Sequence, residues 1–210
     1  MVSLGLLQQL LAHETGYKVQ LAVTMRPSTN TMAAVARILL ERRDKIHTEW
    51  SDWIAKRLRS APHVRRETIE RQLDLLLGIL TELTGSLRRE SSGLWLSASE
   101  WYGRTAALRG LAAGEVVEEF QYLRELLIRH LSELATSLVP RQSMAAALRL
   151  NRLLDTATAH AVVGYTDALV ESLLETQGIP LGAHETEESE VEDRLAQLER
   201  ELAQLKELND

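Results

Sequence analysis

Apolar residues recur at steps of three and four along nearly all of this chain, and nowhere do polar and apolar residues alternate for more than a few positions. A step of three or four keeps side chains on one face of an α-helix, whereas a half-buried strand needs a step of two. The pattern therefore predicts an all-α fold. Composition points the same way. Of 210 residues 45% are hydrophobic, yet only 4% are aromatic and Phe occurs once. Leu and Ala carry the apolar content, and they favour helices where aromatic and β-branched residues favour strands.

Breakers divide the pattern into segments. The turn-rich stretch RPSTNT ends an N-terminal extension over residues 1–31, expected to be partly disordered, and Thr31 is the predicted N-cap of a helix running to about Arg59. Pro62 suits the first turn of a second helix over 62–88. Ser91-Ser92-Gly93 reads as a break, and Ser97 with Glu100 forms an S-x-x-E signature that would open a short third helix ending at Gly110. A fourth helix is predicted from near Gly114 to Leu138, with Val116, Phe120, Leu123, Leu127, His130 and Leu134 on one seam. Pro140 ends it, and Ser143 would cap a long fifth helix reaching Gln177. The expectation is a bundle of four to five helices over residues 32–178, possibly globin-like, a linker at 179–187 and a C-terminal helix at 188–210.

That last helix carries Val191, Leu195, Leu198, Leu202 and Leu205 at alternating steps of four and three. With Leu195 at heptad position a, the leucines fill a and d, Arg194 at g faces Glu199 at e, and Glu201 at g faces Lys206 at e of a parallel partner. The complementary charges predict a parallel homodimeric coiled coil with those five apolar residues at its interface. The alternative is a helix folded back on its own bundle, which would show the same stripe and equally charged outer faces.

Charge and composition exclude several functions. Residues 183–210 hold ten acids and three bases, a balance of −7, so the net charge of −6 leaves the remainder at +1. A nearly neutral body offers no footprint for nucleic acid. No apolar run reaches the roughly 18 to 20 residues that span a bilayer, and the leucine-rich start lacks the basic residues and cleavage site of a secretory signal. No cysteine is present, which removes disulfides and thiolate sites and fits a cytoplasmic chain. Nucleophile elbows, P-loops and HExxH helices are missing, and no histidine has a glutamate three residues before it as di-iron bundles require. No catalytic residue, metal ligand or cofactor is expected.

One histidine needs separate weighing. His130 lies on a strongly apolar seam, a place from which an imidazole could ligate haem. The ordinary reading is a core or interface histidine with a polar partner, and it is the one adopted. Trp50, Trp53, Trp95 and Trp101 could line a small pocket, or act as core anchors; the second is expected.

The stretch RTAALRGLAAGEVVEEFQYLRELLIRHL resembles the signature of the RsbRD-type N-terminal sensor domain, a family of stressosome co-antagonists that also precedes many bacterial histidine kinases. RRDKIHTEWSDW and the long LDTATAHAVVGYTDALVESLLE are similar to that family's opening and closing helices, so the resemblance covers about residues 32–175. It implies a dimeric helical input domain whose last helix transmits to an output module, and a globin-like fold without haem. It carries no catalytic motif to transfer. No STAS, kinase or PAS segment follows in this sequence, a departure that suggests either part of a longer sensor or a protein acting through a separate partner. The expected function is a bacterial sensory or regulatory signalling module. An adaptor that merely presents its coiled coil for docking is the runner-up, then a haem or small-ligand carrier.

Overall fold

The computed structural model describes residues 26–57, 64–87, 89–177 and 187–207. Within them the chain forms seven helices and no strand: α1 (Thr29–Glu41), α2 (Arg43–Ala55), α3 (Arg66–Thr84), α4 (Ser91–Leu108), α5 (Ala113–Ser137), α6 (Pro140–Thr176) and α7 (Glu187–Glu207). The all-α bundle expected from the periodicity is what forms. No helix among the described residues is long and apolar enough to cross a membrane.

Helix boundaries depart from the sequence reading in four places. The N-cap of α1 is Ser28, not Thr31: the Ser28 hydroxyl accepts from the Thr31 backbone N–H at 3.1 Å. Gln142 fixes that choice, because its side-chain oxygen accepts from Ser28 N at 2.8 Å and from the Thr31 hydroxyl at 3.2 Å. The single helix expected from Met32 to Arg59 is broken at Arg42, whose φ of −107° and ψ of 7° leave the helical region. Ser91-Ser92-Gly93 opens α4 instead of breaking the chain, so Ser97 and Glu100 lie inside that helix and cap nothing. Further on, α6 begins at Pro140, with Ser143 already bonded to Val139 O. The extension before Arg26, Pro62 and residues 179–186 of the linker expected at 179–187 fall outside the described residues, and Glu187, the last residue of that linker, opens α7.

Gly110 ends α4 as its position suggests. Its φ of 75° is open to glycine at little cost, and the bonds Gly110 N to Ala107 O and Leu111 N to Ala106 O close a Schellman turn. The turn throws the chain into α5, where the Glu115 carboxylate accepts from Ala112 N at 2.8 Å.

Helices α4 and α6 pack most extensively and form the centre of the molecule, with α5 against α6 and α3 against α4. The two central helices touch backbone to backbone. A Cβ on Gly103 would fall 1.7 Å from Ala161 O, and one on Gly164 would fall 1.9 Å from Glu100 O. Beside this contact sits the aromatic heart of the core. Tyr102 and Phe120 meet edge to face at 5.4 Å, and Trp50 of α2 covers both at 6.2 and 6.4 Å. The lone Phe is thus central.

Candidate functional site

The C-terminal helix occupies a groove formed by α3 and α4 of its own chain. Val191, Leu195, Leu198 and Leu202 are buried there, Leu195 and Leu198 completely, and Leu205 is half-buried. The heptad stripe thus takes the alternative position, folded back on the bundle, and presents no open seam to a second copy. Local features of α3 explain the fit. Gly78 leaves room for Leu202, whose Cδ2 would stand 3.1 Å from a Cβ placed there. On one flank Arg71 pairs with two α7 carboxylates, reaching Glu192 and Glu199 at 2.6 Å each. Thr68 adds a hydroxyl donated to Glu192, and Lys206 lies 3.8 Å from Glu82 on the same helix.

These contacts set the charge states. The hydrogen bond to Glu199 keeps the Arg71 guanidinium above its ordinary pKa against partial desolvation. The Thr68 hydroxyl, with Arg71 beside it, outweighs partial burial and holds the Glu192 carboxyl below its ordinary value of 4.5. The rim of the α7 groove is therefore a small charge-assisted network around an apolar seam.

A second polar cluster lies deep in the bundle. Arg109, at the end of α4, makes a two-pronged pair with Glu119 of α5 at 3.0 and 2.8 Å, and Tyr102 donates its hydroxyl to Glu119 at 2.6 Å. All three are buried. Burial, and then the Glu119 charge, push the Tyr102 phenol well above its ordinary range. For Arg109 the desolvation would lower the pKa, but Tyr102 and Glu119 more than offset it and the guanidinium stays charged. The arrangement ties the α4–α5 turn to the core. It neutralises a buried carboxylate and holds its oxygens with three donors, so none of these three groups is left free for proton transfer.

The remaining sequence candidates are dispersed. His130 is buried on α5, with Nε2 3.2 Å from Glu49 Oε1 of α2 but without the alignment of a hydrogen bond; Arg129 binds the other oxygen of Glu49 at 3.0 Å. The apolar hollow between α5 and α6 is lined by Leu127 and Leu131, on either side of His130 in sequence, and not by the imidazole. Among the tryptophans, Trp95 donates to Leu153 O at 3.0 Å, and Trp53 stacks on Tyr122 at 4.6 Å beneath Arg57. Trp101 lies near Arg104, and Trp50 is in the core, so the four line no common pocket. Arg124 pairs across to Asp155 of α6. Among the described residues no three His, Cys, Asp or Glu side chains are grouped closely enough to hold a metal ion.

Periodicity identified the α7 stripe but not what covers it. The buried triad was missed, although a glutamate beside Phe120 on an otherwise apolar seam was a signal that could have found it.

Comparison with known families gives a match over most of the chain. The model of the RsbT co-antagonist protein rsbRD N-terminal domain covers residues 36–178, from within α1 to just beyond the end of α6. No curated protein and no solved structure matches the chain.

Proposed function

The chain belongs to the family of RsbT co-antagonist protein rsbRD N-terminal domains, and from that premise we propose that it is a dimeric sensory or regulatory module that relays its input through α7. The family is regulatory and not known for catalysis, and none of the three groups in the buried triad is free to act as an acid or base. The observation that carries the relay is the position of α7. It follows the matched region, and it is attached by one apolar seam and a rim of charges that have other partners available.

Those charges define two exclusive states. In the docked state Glu199 pairs with Arg71 and Lys206 lies beside Glu82. In a parallel dimer the same Glu199 faces Arg194 of the second copy, and Lys206 faces its Glu201. The same leucines fill either seam. A signal that loosens the α3–α4 groove shifts the population toward free α7 by no more than its differential affinity for the two states. Free α7 then pairs in trans, or docks on a protein partner.

The test is Arg71→Glu, which sets a like charge against Glu192 and Glu199 only in the docked state. Light scattering should show a larger fraction at twice the 23.6 kDa chain mass than in the unaltered protein, with helicity retained. A dimer fraction unaffected by this change would sink the link between α7 release and pairing.

A further inference from the structure

The apolar hollow between α5 and α6 has one polar end. Its floor is Val35, Leu131 and Leu154, all buried, and Ile128 stands exposed at its rim. Arg124 of α5 pairs with Asp155 of α6, and the two helices join between Ser137 and Pro140, so they run antiparallel. Leu138 and Ser143 therefore lie at the joined end of the hollow, and Arg124 and Asn151 at the far end. From Ser143 to Asn151 this slot is about 12 Å long at the helical rise of 1.5 Å per residue.

The ion pair does not exhaust Arg124. A guanidinium carries more donors than one carboxylate oxygen can use, and Asp155 accepts from Nη2 alone. Among the described residues Arg124 Nε has no acceptor, although it is closed off from solvent. Such a donor is costly until an oxygen meets it. The same side chain lines a second, open groove with Gln121, Asp155 and Thr158. The guanidinium thus stands where the apolar slot meets the surface.

We propose that the slot binds a short aliphatic carboxylate, its chain along Leu131 and Leu154 and its head on Arg124 and Asn151. The hollow of about 130 Å³ is close in size to the roughly 150 Å³ cavity that takes a benzene ring, so it admits one chain of about six to eight carbons. Among the described residues Arg124 is the one charged side chain lining it, which makes the guanidinium the point that fixes an anionic head. Asn151, half-buried on α6, adds an amide donor. Asp155 lines the open groove and not the slot. The slot shares no residue with the α7 groove, so the site stands whether or not α7 is released.

Octanoate is the probe, titrated by calorimetry into the full chain. It should bind saturably, one per chain. Arg124→Met should weaken it about tenfold or more through loss of a charge-assisted hydrogen bond, while octanol, which has no carboxylate, should bind both proteins alike. Ala147→Phe places a ring in the hollow from an exposed position of α6, and should abolish binding of both probes with helicity retained. Absence of saturable octanoate binding to the unaltered chain would overturn the proposal. Unchanged octanoate affinity in Ala147→Phe would overturn it too, because the probe would then bind outside the slot. Unchanged octanoate affinity in Arg124→Met, or an equal loss for octanol, would remove Arg124 as the head contact and the carboxylate specificity with it.

Discussion

Gly103 of α4 and Ala161 of α6 are in backbone contact: a methyl group on Gly103 would lie 1.7 Å from the Ala161 carbonyl oxygen. Backbone cannot rotate aside as a side chain can, so Gly103→Ala has to part the two central helices. Overpacking of an ordinary core costs about 1–3 kcal/mol, and this site should lie at or beyond the upper end. Gly93→Ala is the matched control, because nothing stands within 4 Å of its added methyl; removing a flexible residue from the same helix should stabilise by about 0.5–1 kcal/mol. Denaturant unfolding of the two variants should move in opposite directions.

The parts of this fold that could be read from sequence are those in which local pattern and tertiary packing agree. The seam of α5 and the glycine stop at Gly110 are of this kind. The break at Arg42 was not legible, because ILLERRDKIH contains only residues that a helix accepts and holds neither glycine nor proline to mark an interruption. Ser97 and Glu100 have the spacing of a capping box but sit mid-helix, since a short motif cannot report the chain before it. RPSTNT offers several capping residues, and only the contact with Gln142 selects Ser28. For α7 the limit is more basic. A heptad stripe shows which face is buried and is silent on whether α3 and α4 or a second copy buries it.

The Arg109–Glu119 pair should behave as one unit. Arg109→Met removes the cation and leaves a buried carboxylate, which should cost about 3–5 kcal/mol, while Arg109→Met with Glu119→Leu should recover most of the loss. A double variant no more stable than the single one would show that the pair contributes beyond cancelling its own charges.

Tyr102 adds a pH dependence at the alkaline end. Its phenol is held above the ordinary value of 10.0 by burial and by Glu119. The folded chain keeps the proton where the unfolded chain releases it, so this stabilisation is complete below about pH 10 and declines as pH rises above it. Phenolate absorbance should show one tyrosine titrating only with unfolding, and Tyr102→Phe should abolish that late component.

The placement of His130 makes the haem question decidable. The imidazole faces Glu49, and Arg129 shares that carboxylate, so Glu49 keeps a partner when the ring is removed. His130→Leu should therefore change stability by less than about 1 kcal/mol, below the cost of stranding a buried polar group. Hemin added to the unaltered protein should give no stable Soret band above background. A one-to-one complex lost in His130→Ala would reverse this assignment.

Acid should release α7. When the helix is free Glu192 titrates at its ordinary value, and when docked its carboxyl is held lower by Thr68 and Arg71. A carboxylate depressed in the docked state stabilises docking at pH above the ordinary value of 4.5, and that contribution is lost as pH falls through the depressed one. The protection of amides along residues 191–205, taken relative to their intrinsic exchange at each pH, should accordingly fall on acidification before that of the bundle itself. Glu192→Gln should flatten this pH dependence and weaken docking at neutral pH. Leu198→Glu provides the counterpart at neutral pH, because a carboxylate placed in a fully buried position should free α7 there without acidification and leave α1 to α6 helical. If that variant lost helicity throughout, α7 would be an integral part of the core, and a relay based on its release would fail.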